Sequence, residues 1–223
     1  MDRLVREIAD WLNAADRRLV IGISGHGAAG KTTFANGLMN RLNREQVNYM
    51  NTDPYIISSN VRKHTRISYT YENEEHQDKM TACHPAAHHV AALERDIRML
   101  RPGLDVFTID TSFMKSEVLS ADRNVAIVEG MSVAFSNPDL FDLNLYVYTD
   151  GDTEFQRRSG RDIKERGMDL TYLRQSHAER RIQYEVFMHT YSAQFDIIIN
   201  NSNDAARVEK NSLNSFQRPG TEN

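Results

Sequence analysis

The chain has a single cysteine, Cys83, among 223 residues. An intrachain disulfide is therefore impossible, and a reducing compartment fits. Long apolar runs are missing too: no stretch approaches the ~18 residues that a membrane span needs. Asp2, Glu7 and Asp10 interrupt the first apolar positions, unlike the core of a secretory leader. An excess of positive charge is also absent. Lys and Arg total 27 against 31 Asp and Glu, a net charge of −4, which disfavours nucleic acid and membrane surfaces as partners. No Asn-Lys-x-Asp stretch occurs, so a guanine-reading GTPase switch is disfavoured. The expectation is a cytoplasmic globular chain, long enough for one α/β domain with a substantial core.

What is present is a phosphate-binding loop in its required context. Residues 19–24 form a short apolar run that leads into GHGAAGKT, Gly25 to Thr32, a match to G-x-x-x-x-G-K-[ST]. Phe34, Leu38, Met39 and Leu42 follow at helical spacing. Strand, loop and helix in this order bring backbone N–H groups and a helix N-terminus onto an anion. Gly25, Gly27 and Gly30 are expected to take positive φ and approach the phosphates closely. The loop as a whole, with His26, Ala28, Ala29 and Thr33, is the nucleotide cradle. Lys31 supplies a point charge for the β- and γ-phosphates, and the Thr32 hydroxyl is placed to ligate Mg²⁺.

The rest of the chain reads as alternating helices and strands. An amphipathic helix over 4–14 precedes the first strand, and the loop helix spans about 31–44. Strands are expected near 47–51, 104–109, 125–128, 143–148 and 196–199, with a helix over 86–100 opened by Pro85. Residues 56–82 show no convincing period and read as an irregular insertion. Such alternation implies βαβ units and a mainly parallel sheet covered on both faces.

Ligands in open parallel sheets bind beyond the carboxyl ends of the strands. Asp53, Glu129 and Asp150 stand at such ends. Asp53 can accept a proton from an attacking hydroxyl, reach Mg²⁺ through water, or merely cap a turn. Glu129 occupies the place of an acid that completes a metal site with Thr32. Asp150 reads as a cap for the next helix. Downstream, residues 152–167 carry Arg157, Arg158, Arg161 and Arg166. They form either a solvated helix with ion pairs or a lid whose guanidinium groups neutralise a transferring phosphoryl group. The upstream phosphate loop favours the lid.

Together GISGHGAAGKTT, NTDPY, the HPAA helix start, IVEG, YTDGDTEFQRRSGRDIKERGMDL and the closing FDIIIN resemble the uridine kinase branch of the phosphoribulokinase/uridine kinase family over roughly residues 19–200. The resemblance implies a P-loop NTPase fold, three-layer α/β/α with a mainly parallel five-stranded sheet and an arginine-rich helical lid. Residues 1–200 then read as one kinase domain with the lid at about 152–170, while 201–223, Asn-, Ser- and Asp-rich with Pro219-Gly220 near the end, read as a flexible polar tail. The implied reaction moves the γ-phosphate of ATP or GTP, with Mg²⁺, to the 5′-hydroxyl of uridine or cytidine. Asp53 then matches the general base, Arg158 a ribose-contacting arginine, and Arg161 and Arg166 arginines that meet the nucleotide phosphates. By analogy with the family, a homo-oligomer is implied.

The departures fall on the acceptor side. Asp53-Pro54-Tyr55-Ile56 stands for Asp-x-Phe-Tyr, and Cys83 for the acid that holds the ribose hydroxyls. Phe107 to Thr111 replaces a Tyr-Asp-Phe…His cluster, and Met168 replaces a lid arginine. Losing such hydrogen-bonding groups can change the substrate, so another hydroxylated acceptor, a sugar phosphate or a vitamin precursor, stays open. A nucleotide-binding regulatory protein without an acceptor is a third reading. His84 and His88 share metal-ligand spacing but lack the flanking glutamate of H-E-x-x-H and read as structural. Tyr69, Tyr71 and His76 either stack on a base or pack the insertion. Cys83, with no basic neighbour but His84, reads as an inert thiol.

Overall fold

The computed structural model describes the backbone of residues 1–166 and 169–215; the side chains at 44, 161–166, 172, 204 and 214 lie outside the described residues. The chain begins with α1 (Asp2–Asn13), β1 (Leu19–Ser24) and α2 (Lys31–Met39). Helix α2 ends before 44 because Asn40 and Asn43 break it, and the Asn43 side chain takes the Glu45 amide instead. Next come β2 (Val47–Asn51), the short α3 (Ser59–Arg62), β3 (Arg66–Tyr71) and β4 (Glu74–Lys79). The segment read as irregular is thus a β-hairpin. Strand β3 carries Ile67, Tyr69 and Tyr71 on one face, but β4 is charged and polar throughout, so little apolar alternation announces the pair; across it Tyr69 stacks on His76 with centroids 5.3 Å apart.

After the hairpin, Pro85 opens a separate 3-10 turn over Pro85–Ala87, and α4 (Val90–Leu100) starts later than expected. The interruption is tertiary: the amide of Ile57 donates to the Ala87 carbonyl and that of His89 to Tyr55, pulling the chain into extended form. Strands β5 (Val106–Phe107) and β6 (Val118–Leu119) pair only with each other, so the strand expected over 104–109 lies outside the main sheet. Then follow β7 (Val125–Glu129), β8 (Leu143–Tyr148), α5 (Gly151–Arg166), α6 (Leu170–Gln183), β9 (Ile197–Asn200) and β10 (Arg207–Asn211).

The main sheet has six strands in the order β10-β9-β8-β1-β7-β2. Five are parallel, as expected; the sixth, β10, runs antiparallel along β9 with a register shift between Val208 and Lys210. This corrects the reading of 201–223 as a loose tail over its first part. All five residues of β10 are exposed, so no apolar alternation announces it. It is held by backbone pairing, by Tyr148 donating to Glu209 (2.7 Å), and by Lys210 donating to the Phe195 carbonyl. A charged, bulged outer strand also blunts the sheet edge.

Strand β1 is wholly buried, and its alternation feeds two cores. Leu19, Ile21 and Ile23 pack with Val5, Ile8 and Leu12 of α1 and Phe34 and Leu38 of α2. Val20 turns to the other face, with Leu93 and Ile97 of α4. Helices on both sides of a mainly parallel sheet make an α/β sandwich of three layers.

Candidate functional site

The loop after β1 folds tightly against the sheet. Gly25 has φ 141°, and a Cβ there would fall 1.8 Å from the Val147 carbonyl oxygen, so only glycine fits. Gly30, at φ 103°, caps α2 in the left-handed region. Gly27 does not need positive φ after all; Ala28 takes it instead, at 63°. A non-glycine residue held there marks a loop shaped by its surroundings. One of them is Arg157, which donates to the Ala28 carbonyl (3.3 Å) and the Asn201 carbonyl (3.0 Å). Beside this loop lies a cavity of about 670 Å³, lined by Ala28, Gly30, Lys31, Thr32, Thr33 and Arg157 among others. Its size fits a nucleotide.

Register places the acids. Ile23 of β1 pairs with Glu129 of β7, and Glu129 pairs with Asn51 of β2. Three strand ends therefore meet at the phosphate loop. Glu129 is 3 % exposed and gathers three partners. It accepts from Thr32 Oγ1 (3.1 Å) and Tyr49 Oη (2.7 Å), and Lys31 Nζ lies 4.0 Å away. Burial, and then the Glu129 charge, raise the Tyr49 phenol so that it stays a donor. Lys31 itself donates to the His26 carbonyl (2.9 Å), curled over its own loop. Thr32 and Glu129 thus present hard oxygen donors side by side, next to Lys31. That pairing fits Mg²⁺, which takes one or two protein oxygens and completes its shell with phosphates and water.

Asp53 follows at the end of β2. Thr52 N donates to the Glu129 carbonyl (2.8 Å), and Asp53 N to Asn51 Oδ1 (2.8 Å), which fixes the turn. The Asp53 side chain is exposed and makes no hydrogen bond or ion pair among the described residues. Asp150 does cap α5: its Oδ1 accepts from Thr153 N (2.7 Å), and that bond holds its carboxyl below the usual range.

The arginines of α5 divide. Arg157 reaches the phosphate loop as described. Arg158 turns inward, with Nη1 3.7 Å from Glu154, which is itself 1 % exposed. The side chains of Arg161 and Arg166 lie outside the described residues, as does Met168. Glu154 is a residue that sequence reasoning passed over. It also faces Arg181 (3.6 Å) and His26 Nδ1 (3.5 Å). Burial raises its carboxyl, against the pull of Arg158, Arg180 and Arg181. Tyr49, Arg180 and Arg181 were missed as well. Their only signal was local: a tyrosine in β2 and an Arg-Arg pair on α6, neither of which belongs to a motif.

His26 sits between the loop and this cluster. Its Nε2 accepts from Thr149 N (2.9 Å), so Nδ1 carries the proton toward the Gly27 carbonyl (2.8 Å). Burial pushes its pKa down to about 3. His88 is similar: Nε2 meets the Ala82 carbonyl (2.8 Å), Nδ1 meets Ser132 (2.8 Å), and burial pushes it down to about 4. His84 instead caps its own turn, accepting from Ala86 N. No group of three or more potential metal-ligating side chains is gathered among the described residues. Cys83 is buried, and burial pushes its thiol up to about 11, as expected of an inert residue. Tyr69, stacked on His76, packs the hairpin against Phe187.

The two neutral histidines set a pH limit. Unfolded, each binds a proton below pH ~6.5; folded, each resists it until far lower. The unfolded state therefore gains protons first as pH falls, and stability drops by about 1.4 kcal/mol per pH unit for each histidine between pH ~6 and ~4. Chemical denaturation across that range should show this slope, and His88→Gln should lessen it. A flat profile above pH 4 would contradict the buried neutral assignment.

A glycine-shaped phosphate loop, its lysine and threonine beside a buried strand-end acid, and an arginine-bearing helical hairpin define a P-loop kinase. The family model described as Phosphoribulokinase / Uridine kinase family matches residues 20–207, and the chain belongs to that family. The chain is 30 % identical over 194 residues to a uridine kinase of Lactobacillus helveticus, covering 82 % of this chain and 87 % of that one. It is 31 % identical over 188 residues to a uridine kinase of Staphylococcus epidermidis, covering 81 % and 86 %. Among solved structures, phosphoribulokinase from Rhodobacter spheroides aligns at TM-score 0.58 and 14 % identity, covering 82 % of this chain and 70 % of that one. D-glycerate 3-kinase from Cryptococcus neoformans aligns at TM-score 0.56 and 11 % identity, covering 92 % and 99 %. At such identities these two show the fold alone. The chain is a phosphotransferase that acts on an alcohol acceptor. No helix among the described residues is long and apolar enough to cross a membrane.

Proposed function

We propose that the chain transfers the γ-phosphate of ATP to a hydroxyl of a small molecule, with Asp53 as general base. The observation that carries this is the meeting of Lys31, Thr32, Glu129 and the Asp53 turn at three adjoining strand ends. The acceptor oxygen attacks the γ-phosphorus while its proton passes to the Asp53 carboxylate. The bond from the γ-phosphorus to the bridging oxygen breaks, and ADP leaves. Lys31 and the loop amides hold the phosphate charge, and Arg157 fixes the loop through Ala28. When bound at Thr32 and Glu129, Mg²⁺ would offset charge on the phosphate oxygens. Arg158, Arg161 and Arg166 belong to the lid in this reading, with Arg158 oriented by Glu154.

Uridine and cytidine are the acceptors that the names of the relatives support. A second reading, an acceptor such as a sugar phosphate or vitamin precursor, is favoured by one observation. Where the family holds ribose hydroxyls with an acid, Cys83 offers a buried, protonated thiol. An acceptor panel with ATP and Mg²⁺, scored by ADP release over the no-acceptor background, decides between them. Turnover with uridine or cytidine is expected under the first reading. Release of ADP that no acceptor stimulates would defeat both and favour a regulatory nucleotide-binding protein.

A further inference from the structure

Four consecutive carbonyls of the phosphate loop are each held by a side chain. Lys31 Nζ donates to the His26 carbonyl (2.9 Å) and His26 Nδ1 to that of Gly27 (2.8 Å). Arg157 Nη1 donates to the Ala28 carbonyl (3.3 Å) and Asn201 Nδ2 to that of Ala29 (2.8 Å). Lys31, Arg157 and Asn201 line the nucleotide cavity, whereas His26 is fully buried and does not. Whatever His26 contributes to a nucleotide there must pass through the backbone.

The peptide between Gly27 and Ala28 shows what passes. In a trans peptide the carbonyl and the following N–H point in opposite directions. With the Gly27 oxygen turned onto the buried imidazole, the Ala28 N–H faces away from it, and Ala28 lines the cavity. Among the described residues that N–H donates to no carbonyl or side chain. Ala28 stands at φ 63°, a setting that a non-glycine residue keeps only when its surroundings hold it.

The other side of the imidazole faces the helical hairpin. Its Nε2 accepts from Thr149 N (2.9 Å), where β8 passes into α5, and Arg181 of α6 donates to the Thr149 carbonyl (2.9 Å). Its ring also meets the Tyr184 ring edge-on, centroids 4.6 Å apart, in the turn Tyr184–Met188 that continues α6. One side chain therefore joins the phosphate loop to the start of α5 and to the end of α6. The neutral imidazole is suited to this, with a donor on one nitrogen and an acceptor on the other.

We infer that His26 is a positioning residue for phosphoryl transfer: it latches the Gly27 carbonyl so that the Ala28 amide faces the nucleotide phosphates, and it ties that setting to the packing of the α5–α6 hairpin through Thr149 and Tyr184. The inference rests on the nucleotide-binding half of the kinase reading above. Movement of the hairpin and affinity for the phosphates are then coupled through one ring.

The test uses a non-hydrolysable ATP analogue with Mg²⁺, followed by calorimetry and by the Ala28 amide resonance of isotope-labelled protein. In the parent that resonance should move as the analogue binds. His26→Phe fills the ring volume without either nitrogen; affinity should fall about 10-fold, the scale of a buried hydrogen bond lost, and the Ala28 response should shrink. His26→Asn places an N–H where Nδ1 stood but does not reach Thr149. It should keep the Ala28 response and lose only ~3-fold in affinity. Arg181→Gln should also lose ~3-fold in the parent, yet nothing further in His26→Asn, because the path through Thr149 is already cut. A merely structural histidine would instead give equal losses for Phe and Asn, and that result overturns the inference. So does a parent that binds the analogue with Ala28 unmoved, a His26→Phe variant that binds it as the parent does, or additive losses for Arg181→Gln and His26→Asn. If His26→Phe does not fold, the parent resonance and the Asn–Gln pair still decide. A parent that fails to bind the analogue at all defeats the nucleotide reading itself.

Discussion

Asp53→Asn should lower phosphoryl transfer by about 100- to 10,000-fold, the usual worth of a general base, with ATP affinity within ~2-fold of the parent. The asymmetry follows from where the residue stands. Its backbone is fixed by Thr52 on Glu129 and by the Asn51 side chain, so asparagine keeps the turn. Its carboxylate makes no hydrogen bond or ion pair among the described residues, so little folding energy depends on it. What asparagine cannot do is accept the proton of the attacking hydroxyl. Steady-state kinetics with the acceptor found by the panel, together with calorimetry of ATP, measure both halves. Transfer at the parent rate would remove Asp53 as the base and leave it a turn residue.

Lys31→Met should cost about 100- to 1,000-fold in turnover, the scale for losing a donor aimed at transition-state charge, and should weaken ATP binding as well. Lys31 is 9 % exposed, held between the His26 carbonyl and Glu129. Methionine fills a similar volume, so the loop should keep its shape while the charge is lost. Lys31→Arg should not rescue, because a planar guanidinium does not fit where a compact ammonium reaches one carbonyl and one carboxylate. The two variants read differently: Asp53→Asn spares donor binding, and Lys31→Met does not. A loss below tenfold for Lys31→Met would mean that another cation holds the β- and γ-phosphates.

The phosphate loop was legible because its signals are local. A run of buried-strand residues, glycines at fixed offsets, and Lys-Thr at a helix start lie within fifteen consecutive positions, 19–33. Each of those residues does its work beside its sequence neighbours. The parallel strands were legible for a related reason: buried on both faces, they read as short apolar runs. Elements without apolar alternation escaped: β4 is charged and polar throughout and all of β10 is exposed, so each is held by backbone pairing with the strand just before it and shows no buried face in its own residues. The late start of α4 escaped because backbone hydrogen bonds from Ile57 and His89 override the signal of Pro85.

The buried charges follow the same logic. Arg62 and Arg180 are 118 positions apart, and only folding brings them to one cavity. Glu154 looks like an ordinary first-turn acid until burial sets it among three arginines and His26. The sequence by itself determined the phosphate loop Gly25–Thr32, the acids at the strand ends and the α/β alternation, since these depend on residue order over a few turns of chain. The tertiary structure alone decided which charges meet, because charge in a low-dielectric interior depends on distance through space and on lost water rather than on separation along the chain.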